Sequence, residues 1–271
     1  MSRVVLLLAI VATLLPGCKK STSVVTGEDM GFRLRGKVHI LQEKQVTVAL
    51  PDTMTTRYAF DEAGNCTELL LYRDSVLEQR LTVTYEGKRQ LVGGAFDADG
   101  NKLWEQQYEY ENDTLVAIKR YAENELTHIS KVINDEQNRM KESHNYDAEG
   151  NFKGRVIFEY DDAGNIASCE WYDAAGHFTT NKIVNTFDAD KCLVMSETYD
   201  EQGGLVSREY RTHNKHLDVV LSRTCDSADR ETDRLYSEYE YDKNDNWVKR
   251  TLYRGEAKDV VSVVYREIIY Y

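Results

Sequence analysis

Apolar and polar residues alternate along most of this chain with a period of two. Leu77, Gln79, Leu81, Val83 and Tyr85 fall on one side, and Glu78, Arg80, Thr82 and Thr84 on the other. Phe152, Gly154, Val156, Phe158 and Tyr160 likewise share a side, opposite Lys153, Arg155 and Glu159. Successive side chains of a strand point to opposite faces, so this alternation predicts half-buried strands rather than helices. No convincing helix is expected in the mature chain. Leu34 to Thr47 reads as a first strand pair, with Val38 and Ile40 on one face, broken by Pro51-Asp52.

Turn signals punctuate these strands at intervals of about 11 to 15 residues from Phe60 onward. The best is Tyr160-Asp161-Asp162-Ala163-Gly164-Asn165, with close copies at Phe60–Asn65, Phe96–Asn101 and Tyr146–Asn151. Looser versions begin at Tyr172, Phe187, Tyr199 and Tyr241. The aromatic ends a strand. The Asp carboxylate accepts hydrogen bonds from backbone N–H groups further along, the next two positions suit a type I turn, and Gly supplies a positive φ. Asp61, Gly64, Asp97, Gly100, Asp147, Gly150, Asp161, Gly164, Asp173 and Gly176 are therefore expected to be structural, in hairpins with four- or five-residue loops. About 16 to 18 strands of some seven residues follow, and open sheets rarely exceed about 10 strands without curling or splitting. The expected fold is all-β: tandem antiparallel hairpins forming one long curled sheet, whether spiral, half-shell or barrel-like. Val260 to Tyr271 is the most apolar strand. It is expected to close or cap the sheet, because a long apolar edge invites aggregation; a docking edge for another protein is the functional alternative.

The turn motif resembles the YD repeat of RHS-type proteins, especially the small YD-repeat lipoproteins of Bacteroidetes. Phe158 to Asn165 and Tyr239 to Asn246 carry the resemblance, which covers roughly Phe60 to Tyr253. RHS repeats usually have Gly-Arg-Leu where this chain has Gly-Asn. The autoproteolytic core and toxin domain of the large RHS toxins have no counterpart here. The resemblance therefore implies the curled hairpin sheet and not toxin delivery.

The N-terminus adds an address. Arg3, the apolar run Val4 to Leu15 and Gly17-Cys18 resemble a bacterial lipoprotein signal, with residues 1–17 removed and Cys18 lipidated. That run is too short to span a bilayer. A plain secretory signal, with Cys18 a bystander, is the alternative. Residues 18–31 read as the lipidated Cys and a polar tether, and 32–271 as a single YD-repeat β-domain. Lys19-Lys20-Ser21-Thr22-Ser23 lacks the acidic run that surface-exported lipoproteins of this kind tend to carry. An outer-membrane lipoprotein on the periplasmic face is favoured over one at the cell surface.

Composition narrows the partners. A net charge of −12 argues against nucleic acid, which needs clustered Lys and Arg. Mid-strand charges such as Arg155, Glu197, Arg208 and Lys249 argue against a lipid-facing band, and so against a porin. Cys66, Cys169, Cys192 and Cys225 match no zinc spacing; small buried residues are favoured over a disulfide. Asp97-Ala98-Asp99-Gly100-Asn101 superficially resembles a calcium loop, but turn capping explains its first Asp. His213 and His216 put two imidazoles in one turn without an assured third ligand.

No metal, cofactor or catalytic residue is assigned, and the chain is not expected to be an enzyme. Trp104, Tyr108, Trp171, Tyr172, Tyr239 and Trp247 form the chemically suggestive set, with Tyr110, Tyr241 and Tyr253 beside them. On a concave face they would stack on sugars; packed on one another they would be core, the favoured reading. The leading functional reading is a non-enzymatic, membrane-anchored lipoprotein acting as a binding or scaffold module in the envelope, with an envelope protein as partner. A glycan-binding accessory protein is the alternative, and an envelope hydrolase a lesser one.

Overall fold

The computed structural model describes residues 24–27, 32–50, 52–179 and 182–271. The expected signal and Cys18 lie outside them. Twenty strands run in chain order, with no helix among the described residues. β1 (Val24–Gly27) pairs with β2 (Phe32–Arg35) as a separate antiparallel ribbon.

The remaining eighteen strands form one closed antiparallel barrel. They are β3 (Val38–Thr47), β4 (Thr53–Phe60), β5 (Cys66–Arg73), β6 (Val76–Glu86), β7 (Arg89–Asp97), β8 (Lys102–Glu111), β9 (Thr114–Ala122) and β10 (Glu125–Asn134). Next come β11 (Met140–Asp147), β12 (Phe152–Tyr160), β13 (Ile166–Asp173), β14 (Lys182–Phe187) and β15 (Leu193–Tyr199). The last five are β16 (Leu205–His213), β17 (Val219–Asp226), β18 (Glu231–Tyr241), β19 (Trp247–Arg254) and β20 (Asp259–Tyr270). Each strand pairs with its sequence neighbours, and β20 closes the ring on β3, from Ser262↔Thr47 to Tyr270↔Val38. The apolar last strand is thus paired on both sides and is not a docking edge. The expected first strand pair is corrected: β3 is a single strand, and Leu34 belongs to the ribbon.

The repeat motif builds the turns, with a shorter loop than the sequence suggested. In the first copy, Asp61 N donates to Asn65 O and Gly64 N to Asp61 O. This is a type I turn followed by a positive-φ residue in a bulge, the three-residue hairpin loop. The register slips next to it, between Ala59 and Phe60. Among the described residues, eleven turns share the same two backbone bonds, starting at 61, 97, 135, 147, 161, 173, 188, 200, 214, 226 and 242. Those at Asp135, Asp188, Asn214, Asp226 and Asp242 carry no Gly at the positive-φ position; Asn138, Lys191, Leu217, Asp229 and Asp245 take it instead. Several other connections are tighter: Asp74-Ser75, Asn112-Asp113 and Glu123-Asn124 each place both residues at positive φ, the type I′ hairpin.

Closure divides every strand into an inner and an outer face. Leu41, Tyr58, Leu69 and Leu81 pair in succession across β3 to β6 on the inner wall, continued by Ala95 on β7. Leu41, Tyr58, Leu69 and Ala95 are buried. On β20, Ser262, Val264 and Arg266 face in, while Tyr265 and Glu267 are exposed. Across β14 to β17 the inner wall turns polar, with Asn185, Ser196, Glu209 and Thr224 in register.

The outer wall is laced with ion pairs between neighbouring strands. Arg80–Glu68 lie at 2.8 Å, Lys119–Glu109 at 2.5 Å, Lys182–Glu170 at 2.6 Å, Arg208–Glu197 at 2.7 Å and Lys249–Glu240 at 2.7 Å. An eighteen-strand barrel matches a porin in strand number, but a porin's outside is an apolar band. Here that outside is charged.

One strand departs from the expected pattern. Phe152 does not share the face of Gly154 and Val156. The register slips between Asn145 and Tyr146, and the Phe152 ring packs edge-on against Tyr146 and His144 on the outside. Gly154, at φ 134°, makes that slip possible.

Candidate functional site

The best-built polar site lies at one end of the barrel, where β2 crosses the mouth. Leu34 anchors it: fully buried, it packs with Val38, Leu41, Tyr58, Phe60 and Leu69. Arg35 follows, and its N–H donates to Asn246 Oδ1 at 2.7 Å while Asn246 Nδ2 donates to Arg35 O at 2.8 Å. The side-chain amide of the β18–β19 turn thus imitates a strand partner. Asn246 Nδ2 also reaches Tyr270 Oη at 2.8 Å, and Tyr270 in turn donates to Asp242. The Arg35 guanidinium pairs with Asp245 at 3.2 Å and approaches His216 Nδ1 at 3.5 Å. His216 stacks on Tyr241, ring centroids 4.1 Å apart.

On the other flank of Leu34, Arg33 reaches the β14–β15 turn. Its Nη1 donates to Cys192 Sγ at 3.3 Å and its Nη2 to Lys191 O at 3.5 Å. Cys192 is 2% exposed. Its own N–H donates to Asp188 Oδ1 at 2.9 Å, as the repeat prescribes. His213, the last residue of β16, completes the group: one ligand atom each from Asp188, Cys192 and His213 lie within 4.8 Å of one another. Burial holds the His213 imidazole below its ordinary pKa, and its Nδ1 is buried without a hydrogen-bond partner. His213 and His216, suggested by the sequence as a pair, are divided between these two flanks. The signal missed in the sequence was register: Cys192 stands where Asn65, Asn101, Asn151, Asn165 and Asn246 stand in their turns, and His213 where most turns have Tyr or Phe.

The aromatic set does not converge. Tyr108 is buried on β8, and Trp104 lies on the same inner face, in register with Ala95. Trp171 pairs with Val156 on the inner wall of β13. Tyr239 and Trp247 meet edge-on at 5.9 Å between β18 and β19. Tyr172 is corrected to the outer wall, opposite Arg155, where it packs edge-on with Phe178 at 5.7 Å. Several ring faces already carry a cation. Arg120 sits 4.9 Å from the Trp104 centroid, Arg155 5.2 Å from Tyr172, and Arg266 3.3 Å from Trp247.

The remaining candidates resolve into structural roles. Both carboxylate oxygens of Asp97 are engaged, Oδ1 by the Asp99 and Asn101 N–H groups and Oδ2 by Asn101 Nδ2. That is turn capping. Cys66, Cys169, Cys192 and Cys225 are all free thiols, and burial pushes the Cys169 thiol up to about 12.

No protein-family model matches the chain, and no curated protein sequence matches it. Solved structures similar to it include a porin-like protein from Bacteroides uniformis, at 10% identity and TM-score 0.43, covering 86% of this chain and 96% of that one. A porin-like protein from Bacteroides vulgatus matches at 10% identity and TM-score 0.42, covering 86% and 99%. An exported protein with a YmcC-like fold from Bacteroides fragilis matches at 14% identity and TM-score 0.19, covering 86% and 99%. The Tc holotoxin pore of Photorhabdus luminescens matches at 13% identity and TM-score 0.18 over 84% of this chain but 18% of that one.

Proposed function

We propose that this chain is a non-enzymatic, membrane-anchored lipoprotein of the bacterial envelope that serves as a binding or scaffold module for a protein partner. The proposed anchor is Cys18, with the outer membrane's periplasmic face as the favoured address. The observation that carries the scaffold reading over glycan binding is the occupancy of the aromatic faces. A sugar needs an open ring face. Those of Trp104, Tyr172 and Trp247 are taken by Arg120, Arg155 and Arg266, and Tyr108 is buried. The outer wall instead offers a dense, charge-paired surface on a closed frame, suited to partner recognition. The test is a pull-down of the tagged, full-length protein from mildly solubilised outer membranes of its own host. A stoichiometric protein partner supports the reading. Recovery of the bait alone, with retention of the soluble chain on a glycan array, replaces it with the glycan-binding reading.

A further inference from the structure

The β14–β15 turn is a repeat turn in which the fifth residue, Cys192, is a metal ligand beside the repeat's own Asp188. In most other copies, the turns ending at Gly204, Asp218 and Asn246 excepted, the fifth turn residue satisfies the second oxygen of the first. Asn65, Asn101, Asn151 and Asn165 donate Nδ2 to Oδ2 of Asp61, Asp97, Asp147 and Asp161 at 2.8 to 3.0 Å. Arg139 and Arg230 do the same with Nε at 2.7 and 2.8 Å. At the β14–β15 turn that residue is Cys192, and its Sγ accepts a hydrogen bond from Arg33 instead. The repeat geometry therefore aims a sulfur at the oxygen where other turns aim an N–H donor.

The third member comes from the β16–β17 turn, two turns further along the chain. The residue before the Asp is Tyr or Phe in most copies, but His213 precedes Asn214. Its Nδ1 is buried and unpartnered. A buried polar atom left without a partner costs about 1–3 kcal/mol, so it asks for one. The ligand atoms of Asp188, Cys192 and His213 lie within 4.8 Å of one another. In a tetrahedral zinc site, with metal–ligand bonds of about 2.0 to 2.3 Å, ligand atoms sit about 3.5 Å apart. A modest closing of side chains on fixed strand ends reaches that spacing.

We propose that Asp188, Cys192 and His213 bind one divalent transition-metal ion of the zinc class, with a fourth position left for water or a donor from a partner. The mixed S, N and O set selects zinc or cobalt over calcium or magnesium, which take oxygen ligands. Arg33 donates an N–H to the sulfur at 3.3 Å, a contact of the kind that orients a metal ligand.

The test uses the full soluble chain, residues 19 to 271, stripped with chelator and titrated with Co²⁺ and then Zn²⁺ by absorbance and calorimetry. One equivalent of Co²⁺ is expected, with a sulfur-to-cobalt charge-transfer band and visible bands of tetrahedral intensity, both displaced by Zn²⁺. The decisive variants return each position to the repeat's own residue, which the turn is built to accept. Cys192→Asn removes the charge-transfer band. His213→Tyr lowers affinity at least tenfold, while Cys225→Ser leaves both unchanged. Circular dichroism confirms that each variant is folded. Absence of stoichiometric binding by the parent chain overturns the proposal. So does a charge-transfer band that survives in Cys192→Asn, or equal loss in all three variants.

Discussion

At the residue scale, one carboxylate does most of the organising. Asp161 Oδ1 accepts the Asn165 N–H and Oδ2 accepts Asn165 Nδ2, both at 2.8 Å, while the backbone bonds close the turn around them. Asp161→Ala removes both side-chain bonds and leaves Asn165 Nδ2 without that acceptor. A charged hydrogen bond contributes about 1.5–3 kcal/mol when shielded, and this partly solvated one is worth about 1 kcal/mol. The thermal midpoint should fall by about 2–4 °C for a chain of this length. An unchanged midpoint by calorimetry would show that the backbone bonds alone hold the turn. These Asp positions were legible in the sequence because Gly and Asn flag them. The turns at Asp135, Asn214 and Asp226 were not, because they lack both the Gly and the leading aromatic: Asn138, Leu217 and Asp229 take positive φ, and Asn134, His213 and Cys225 precede the turns. Arg139 and Arg230 there replace Asn as the donor to the leading Asp.

At the element scale, each motif turn is coupled to a slip in register, and the slip decides which residues face inward. Period-two reading placed Gln79, Leu81 and Val83 together correctly, since they pair with Asp97, Ala95 and Gly93 on one wall. It failed for Phe152, because a bulge at the start of β12 turns that residue outward. A bulge adds one residue and so inverts every parity assignment beyond it. Gly154 is where the inversion is accommodated. A Cβ built there would lie 2.1 Å from Tyr172 O, and its φ of 134° is closed to other residues. Gly154→Ala should therefore cost more than about 3 kcal/mol, by clash and strain together. Gly100→Ala is the matched control. It also sits at positive φ, 84°, but nothing lies within 4 Å of the new methyl, so about 1 kcal/mol is expected. Urea unfolding of the two variants in parallel checks the ratio; equal losses would mean that backbone conformation, and not the close approach to β13, governs the bulge.

At the scale of the whole molecule, closure was legible only as a necessity. Too many strands for an open sheet predicted curling, and the apolar run from Val260 predicted a closing strand. The pairing of β20 with β3 rests on residues more than 200 positions apart, and no local pattern encodes it. The ribbon across the mouth was missed for the same reason, because its partners lie in the β14–β15 and β18–β19 turns. The closed, ion-paired wall has a consequence in acid and in alkali. Hydrogen bonds hold several carboxylates below their ordinary pKa: Asn101 on Asp97, Arg230 on Asp226, Arg208 on Glu197, and Lys182 on Glu170. For a depressed carboxylate, stability is fully present above the unfolded value, about 4, and is lost as pH falls through the lower folded value. Burial acts oppositely on the Tyr160 and Cys169 side chains, pushing both up to about 12. For these raised groups stability is fully present below the unfolded value, about 10 for tyrosine, and is lost as pH rises towards the folded one. Thermal midpoints should be level between about pH 5 and 8 and fall outside that window, most steeply below pH 4. Closure makes a separate demand. Removing residues 259–271 takes away β20 and bares the N–H and C=O rows of both β19 and β3. Two open edges on one sheet are a template for pairing with another chain. That truncated chain should elute from size exclusion as large oligomers, whereas a chain starting at Gly36, which loses only the ribbon, should elute beside the parent. If the chain without β20 runs as the parent does, the remaining seventeen strands must close by themselves, and the β20–β3 seam is not what seals the barrel.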